Sequence, residues 1–160
     1  MYAFDIDTNA PKAQLYDDLH SAAMALVADE SDAVANMANV AALIWQFLPD
    51  LNWSGFYRMV DGELVLGPFV GKPACIRIAL GSGVCGTAAA SGETQLVSDV
   101  HAFPGHIACD AASQSELVVP VLHDGKVTHV IDLDSPTLAR FDDEDRAGIE
   151  RLAQSLAGRI

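Results

Sequence analysis

The chain has 160 residues, 51% of them hydrophobic, which suits one domain with a sizeable core and excludes a disordered protein. Its 22 acidic and 9 basic side chains give a net charge of −13. That charge disfavours nucleic acid and anionic membranes as partners, because phosphate binding needs clustered Lys and Arg. No uninterrupted apolar run reaches the roughly 18 residues of a membrane span. The start, MYAFDIDTNAPK, lacks the basic residues and apolar run of a signal peptide, so we expect a cytoplasmic protein.

Two amphipathic helices are predicted in the first third of the chain, after an extended segment over residues 1–10. Pro11 suits a first helical turn, and apolar side chains then recur on one face up to residue 28. Ser31 or Asp32 can cap a second helix, and Pro49 follows its end. Its apolar stripe consists of Met37, Val40, Ala41, Ile44 and Leu48.

The pattern then changes to strands. WSGFYRMV and ELVLGPFV flank Asp61–Gly62, which predicts a tight hairpin, and a third strand is expected from Cys75 to Leu80. GSGVCGTAAASG predicts a short helix that ends at Gly92, and TQLVSD a further strand.

A loop of about 17 residues, from His101 to about Glu116, follows that strand. A second hairpin turns at Asp124–Gly125, and an amphipathic helix with acids in its first turn starts at Asp142 or Asp143. This order predicts an α+β domain over residues 1–160. Its mostly antiparallel sheet would carry the terminal helices on one face and the long loop on the other. Long irregular loops in compact domains are usually functional, and this one contains Cys109.

The three cysteines are an odd number, so they do not form a closed framework of structural disulfides. Cys85 opens the short helix, where the helix N-terminus favours a reactive thiolate, although it could equally be a small residue packed beside glycines. Cys75 in its strand is either a core residue or a reactive thiol. Cys109 has no regular element in which to be buried. The spacing of the cysteines relative to His101 and His106 matches no zinc template, so no metal is predicted.

Three acids are expected to converge on one face of the second hairpin. Asp132 and Asp134 alternate with apolar residues, so both point to the same side of a strand, where Asp is normally rare. Counting back from the turn places Glu116 opposite about residue 133. Such carboxylates repel one another unless they meet a cation or share a proton. A solvated strand end is the alternative interpretation.

Trp53 and Tyr57 lie four residues apart on one strand and therefore share a face. They either pack in the core or form the wall of a pocket for an apolar group. Together, the acids, the aromatic rings and a thiol indicate a small pocket. It would hold an ammonium group against acids and a reducible centre near a cysteine, which describes an amino acid that carries a reducible group.

The segment GSGVCGTAAASGETQLVSDVHAFPGHIACDAASQSELVVPV closely resembles the free methionine-(R)-sulfoxide reductases, which are built on the GAF domain. NWSGFY, LGPFVGKPACIRIALGSGVCGTA and IDLDSP extend this resemblance over about residues 10–157. The three cysteines together with HAFPGHIACD make the match specific. A generic GAF domain would share the order of helices and strands without them.

The resemblance implies reduction of free L-methionine-(R)-sulfoxide without a cofactor. Cys109 matches the catalytic cysteine, Cys75 the cysteine that resolves its sulfenic acid as a disulfide, and Cys85 a second or alternative resolving thiol. Thioredoxin would restore the dithiol. The matching pocket residues are Trp53, Tyr57, Glu116, Asp132 and Asp134. Sulfoxide reduction also needs a proton donor, for which Asp134 is our first choice among the acids.

Two other functions agree with the same sequence. One is a ligand- or redox-sensing GAF module without catalytic turnover, although such a module usually accompanies an output domain. The other is a binding protein for a small cationic metabolite. Isolated GAF domains often dimerise through their terminal helices, so a homodimer is one expected assembly.

Overall fold

The computed structural model describes residues 4, 6, 7, 9–107 and 109–160. Positions 1–3, 5 and 8 of the expected extended N-terminus lie outside the described residues. In chain order the helices and strands are α1 Lys12–Val27, α2 Ala33–Phe47, β1 Trp53–Val60, β2 Glu63–Gly71, β3 Arg77–Ala79, α3 Gly83–Ser91, β4 Gln95–Val97, β5 Ser115–His123, β6 Lys126–Ser135 and α4 Asp143–Leu156. A short 3-10 helix, Val100–Ala102, opens the long loop.

The six strands form one antiparallel sheet in the order β3-β2-β1-β6-β5-β4. The two predicted hairpins are confirmed. Asp61 and Gly62 both have positive φ, as do Asp124 and Gly125, which is the backbone that a two-residue turn between twisted strands requires. These hairpins bring β1 and β6 together at the centre of the sheet, and both strands carry site residues.

The two faces of the sheet bury different cores. Helices α1, α2 and α4 cover one face and pack against inward side chains such as Phe56, Leu117 and Ile131. On the other face α3 packs against Trp53 and Val118. The predicted α+β arrangement, with terminal helices on one face and the loop on the other, is confirmed. Because strand residues alternate between faces, the helices are held by one set of side chains and the site by the other.

The third strand is shorter than predicted, and Cys75 does not belong to it. Pairing with β2 runs from Glu63 opposite Ala79 to Val65 opposite Arg77. One further backbone bond, from Leu66 N–H to the carbonyl of Ile76, ends the ladder. Pro73 lacks a donor N–H, and the chain before Ile76 leaves the sheet. Cys75 therefore lies in the connection between β2 and β3, outside the sheet, where it can contact the long loop.

The caps of the helices agree with the sequence. Asp32 accepts a hydrogen bond from the N–H of Ala35 at the start of α2, and Gly92 ends α3 in the left-handed conformation. Asp142 and Asp145 form a reciprocal capping box at the start of α4. No helix in the described part of the chain is both long and apolar enough to cross a membrane.

Candidate active site

The three predicted acids do converge, at the end of the β5–β6 hairpin. Glu116 pairs with Asp134 and Val118 with Asp132, so the register places Glu116 within one residue of the predicted partner. All three acids line a pocket between the sheet, α3 and the long loop. Glu116 and Asp132 are each only 6% exposed, which excludes the alternative of a solvated strand end.

Burial controls the protonation of this cluster. Loss of solvation, together with repulsion from Asp132 and Asp134, raises the pKa of Glu116 well above its usual range. Burial and the charge of Asp132 likewise raise the pKa of Asp134. Burial raises the pKa of Asp132 to about 6. The pocket therefore favours a proton or a cation among the acids at neutral pH.

Cys85 lies beside these acids and is fully enclosed. Its thiol sulfur is 3.9 Å from Oε1 of Glu116. Burial, reinforced by the charges of Asp132 and Glu116, raises the pKa of this thiol well above its ordinary value. Of the two interpretations of Cys85, the small buried residue is therefore favoured over the reactive thiolate, because desolvation and neighbouring acids outweigh the helix dipole.

Cys109 and Cys75 form a disulfide at the mouth of the pocket. Their Cα atoms are 6.0 Å apart although 34 positions separate them in the chain. The pairing implied by the resemblance is therefore present. Cys109 is exposed, and Cys75 is partly buried next to the highly exposed Ile76. Of the three thiols, the structure joins the two at the rim and leaves the buried Cys85 free.

The aromatic rings form one wall of the pocket and also hold the connection that carries Cys75. Trp53 stacks on Tyr57 with ring centroids 5.9 Å apart, and on Phe69 at 5.2 Å. The Tyr57 hydroxyl donates to the carbonyl of Cys75, and Nε1 of Trp53 donates to the carbonyl of Lys72. The wall is thus buried core and pocket lining at once, so both interpretations of the aromatic pair are correct.

Several pocket residues were missed by sequence reasoning. Lys72 bonds to Asp110 across the mouth of the pocket, and His106 lies with Nε2 3.9 Å from Oε2 of Glu116. Burial, with a contribution from His101, lowers the pKa of His106. The lysine precedes Pro73 in GKPAC and the histidine belongs to HAFPGHIACD. The sequence analysis considers His106 only as a possible zinc ligand and assigns no role to Lys72.

The N-terminus of α3 also faces the pocket, through Ser82, Gly83 and Val84. Ser82 occupies the capping position, yet its side chain makes no capping hydrogen bond. The backbone N–H groups of a first helical turn have no partner within the helix, so such an end attracts anions. The same pocket is therefore lined by a helix end suited to an anion and by a cluster of acids suited to a cation.

Comparison with known proteins places the chain in a family. The GAF domain family matches residues 30–160. The chain belongs to the GAF domain family. This GAF domain is 49% identical over 145 residues to the free methionine-R-sulfoxide reductase of Escherichia coli. The match covers 91% of this chain and 88% of that protein. It is 43% identical over 155 residues to the Saccharomyces cerevisiae protein of the same name, covering 92% and 86% of the two chains.

The chain is also similar to a solved structure of a protein with this name. The X-ray structure of the free methionine-R-sulfoxide reductase from Neisseria meningitidis, in complex with its substrate, superposes on this GAF domain with a TM-score of 0.95 and 45% identity. The similarity covers 99% of this chain and 95% of that one. The resemblance carried by the cysteine motifs is thereby confirmed.

Proposed function

We propose that this GAF domain reduces free methionine-(R)-sulfoxide to methionine with its own cysteines. The observation that carries the proposal is the Cys75–Cys109 disulfide at the mouth of a pocket lined by two buried acids, the partly buried Asp134 and an aromatic wall. A disulfide that links two irregular connections at a pocket is the expected end state of a thiol-based reduction. The names of the Escherichia coli and Saccharomyces cerevisiae relatives support the same reaction.

The pocket explains why the substrate would be the free amino acid. Its ammonium group would bind to Glu116 and Asp132. Burial penalises the charged forms of these two acids, and a bound cation would stabilise them. A methionine within a protein has an amide in place of that ammonium and would leave the acids uncompensated. Trp53 and Tyr57 would contact the methyl and methylene groups.

The substrate carboxylate needs donors that the acids cannot provide. Backbone N–H groups of the long loop are one possible set of donors. The geometry favours instead the uncapped N-terminus of α3, with Lys72 at the rim. This arrangement would hold the ammonium of one amino acid at the acids and its carboxylate at the helix end, within one pocket.

The reaction proceeds in three balanced steps. The Cys109 thiolate attacks the sulfoxide sulfur, and with one proton added the sulfur–oxygen bond breaks, methionine leaves and Cys109 becomes a sulfenic acid. The Cys75 thiol then attacks the Cys109 sulfur, which forms the disulfide and releases water. A dithiol reductant such as thioredoxin returns both cysteines to thiols by exchange and is itself oxidised to a disulfide.

A neutral carboxyl group would supply the proton of the first step. Asp134 remains our first choice, since burial raises its pKa and its carboxyl group interacts with Ser113 and Asp110 of the loop that carries Cys109. Cys85 would contribute as a neutral thiol that packs against the acids. Its role as an alternative resolving cysteine is less favoured, because Cys75 is already joined to Cys109. A cytoplasmic location would supply the reductant.

The test is a turnover assay on the purified chain, with free methionine-(R)-sulfoxide, dithiothreitol and quantification of methionine. The (S)-sulfoxide and an N-acetylated (R)-sulfoxide, which lacks the ammonium, serve as matched controls and should react poorly. Absence of turnover with the (R)-sulfoxide would leave a binding or sensing GAF module as the better description.

Cysteine variants test the assigned roles. Cys109→Ser should abolish even the first stoichiometric turnover. Cys75→Ser should release about one methionine per chain and then stall with thioredoxin, because the sulfenic acid forms but is not resolved. If Cys109→Ser retains the first turnover and Cys85→Ser loses it, the nucleophile is assigned wrongly.

A further inference from the structure

The buried end of the pocket contains three side chains that offer a ligand set for a metal ion. A sulfur of Cys85 and one carboxylate oxygen each from Glu116 and Asp132 all lie within 4.8 Å of one another. All three side chains are buried. Metal–ligand distances of about 2.0–2.3 Å place the ligand atoms of a tetrahedral site roughly 3.3–3.6 Å apart. The separation of 3.9 Å between the Cys85 sulfur and Oε1 of Glu116 is therefore close to that spacing.

An independent observation points to a ligand at this end of the pocket. Oδ1 of Asp132 is buried and has no hydrogen-bond partner among the residues that the structure describes. Buried carboxylate oxygens without a partner are rare and costly, and Asp132 lines the pocket rather than the core. A bound cation would satisfy this atom.

The nearby cations of the chain do not fill this role. Lys72 is at the rim, where its side chain is 69% exposed and pairs with Asp110. His106 reaches Glu116 only at 3.9 Å and from the loop side. Glu116 and Asp132 thus have the neutral thiol of Cys85 as their neighbour. This thiol provides a third ligand for a metal but carries no positive charge.

We propose that Cys85, Glu116 and Asp132 form a zinc site at the base of the pocket. One sulfur and two oxygen ligands suit Zn²⁺, whereas Mg²⁺ and Ca²⁺ prefer six or more oxygens. The Cys85 thiol releases its proton to solvent when its sulfur binds the metal, and water completes the coordination. The cysteine and histidine spacings do not reveal this site, because the ligands come from α3, β5 and β6.

Zinc bound here would exclude the substrate. Under the proposed function the substrate ammonium uses Glu116 and Asp132, the same two carboxylates that would bind the metal. The two ligands therefore compete, and zinc acts as a reversible inhibitor. This consequence rests on the proposed function, whereas the metal site itself does not.

The disulfide form of the protein allows a direct test. In that form Cys85 is the free cysteine, so any thiolate bound to a metal must be Cys85. The metal-free oxidised protein is titrated with Co²⁺, which takes the place of Zn²⁺ and reports its ligands by absorption. We expect about one Co²⁺ per chain with a thiolate-to-cobalt charge-transfer band, which Zn²⁺ then removes. Binding without that band, or no binding, overturns the proposal.

Variants decide which side chains bind the metal. Cys85→Ser should remove the band and weaken Zn²⁺ binding by at least about 100-fold, since even outer-shell partners of metal sites change affinity by 10–100-fold. Asp132→Asn and Glu116→Gln keep the thiol and should weaken Zn²⁺ binding by at least about tenfold, which keeps the test valid if Cys85→Ser does not fold. Glu144→Gln, an exposed acid on α4, is the matched control and should bind as the native chain does. Unchanged binding in all three site variants would refute the assignment.

Competition between Zn²⁺ and methionine sulfoxide is measured in a separate experiment. Methionine sulfoxide should raise the Zn²⁺ concentration needed for half-saturation, and persistence of the cobalt band in saturating sulfoxide would overturn mutual exclusion. The cobalt band requires no turnover. A chain that binds Co²⁺ through Cys85 but fails to reduce methionine sulfoxide would contradict the proposed function alone.

Discussion

Glu116 is the residue at which burial and charge conflict most clearly. It is enclosed by the sheet and α3, and its nearest acidic neighbours, Asp132 and Asp134, lie on the paired strand. Because burial penalises the charged form, its pKa is raised well above the usual range. A group whose pKa is raised by folding stabilises the folded state at low pH, and that contribution is lost as the pH rises through the folded pKa.

Replacing this acid by its neutral isostere should therefore change how stability depends on pH. We expect the free energy of unfolding of Glu116→Gln, relative to the native chain, to increase as the pH rises from about 5 to about 8. The slope is at most about 1.4 kcal/mol per pH unit, the limit for one proton. Denaturant unfolding of the metal-free disulfide form measures it. Glu144→Gln, which removes an exposed carboxylate on the surface of α4, is the matched control, and a flat profile for Glu116→Gln would contradict the raised pKa.

Asp134 is expected to carry the proton for sulfoxide cleavage. Asp134→Asn keeps the shape of the side chain but cannot transfer a proton in the same way, so single-turnover methionine release should slow by about 10²-fold or more. Asp61→Asn, in the β1–β2 turn, is a matched control whose positive φ suits Asn. Near-normal turnover in Asp134→Asn would transfer the role to Glu116 or Asp132.

Single residues differ in how far the sequence predicts them. The convergence of Asp132, Asp134 and Glu116 follows from strand alternation and from a turn with a recognisable Asp-Gly signal, so it could be predicted. The protonation of Cys85 could not, because the helix dipole is a local property whereas burial depends on the packing of distant strands. His106 was visible in its motif, but its proximity to Glu116 depends on the path of the long loop.

Helix α3 is the element on which the geometry of the site depends most closely. A Cβ atom at Gly86 would lie 2.4 Å from the carbonyl oxygen of Ala79 and 3.3 Å from the backbone nitrogen of Gly81. Glycine thus lets α3 approach the β3–α3 turn closely, and this contact positions Cys85 and the N-terminus of the helix. The glycine-rich segment predicted a helix, but the need for a glycine at this particular position is apparent only in the packed structure.

Gly86→Ala should push α3 away from that turn. Overpacking of this kind costs about 1–3 kcal/mol of stability, and we expect the KM for methionine sulfoxide to rise because the helix end that would bind its carboxylate moves. Thermal unfolding and steady-state kinetics provide the two readouts. Ala90→Ser, at an exposed position of the same helix, should change stability by less than about 0.5 kcal/mol. Equal effects of the two variants would contradict the role of the close contact.

At the scale of the whole molecule, the two faces of the sheet separate stability from chemistry. The order of elements predicted this separation, since hairpins and amphipathic terminal helices are encoded locally. The end of β3 before Cys75 was not predicted, because the ladder ends where the chain bends toward a loop 34 positions away. That departure from the sheet is what brings Cys75 to Cys109 and exposes the disulfide to a reductant.

Exposed apolar side chains lie close in sequence to both cysteines of the disulfide, although the chain as a whole is strongly acidic. Ile76 is 71% exposed beside Cys75, and Ile107 and Leu80 are also exposed. A protein reductant must bring its own thiolate to one of the two sulfur atoms, whereas dithiothreitol needs no such surface. Exposed apolar side chains at a point of attack are therefore expected to contribute to docking of a protein such as thioredoxin.

Ile76→Asp should consequently slow recycling by thioredoxin by about tenfold or more, which corresponds to about 1.4 kcal/mol of lost contact. Turnover with dithiothreitol and the first stoichiometric turnover should remain unchanged, because neither involves docking. Val34→Asp replaces a comparably exposed residue on α2, on the opposite face of the sheet, and should leave thioredoxin recycling intact. Stopped-flow reduction of the disulfide by each reductant separates these cases. If both reductants slow equally in Ile76→Asp, the substitution has altered the disulfide itself and not a docking surface.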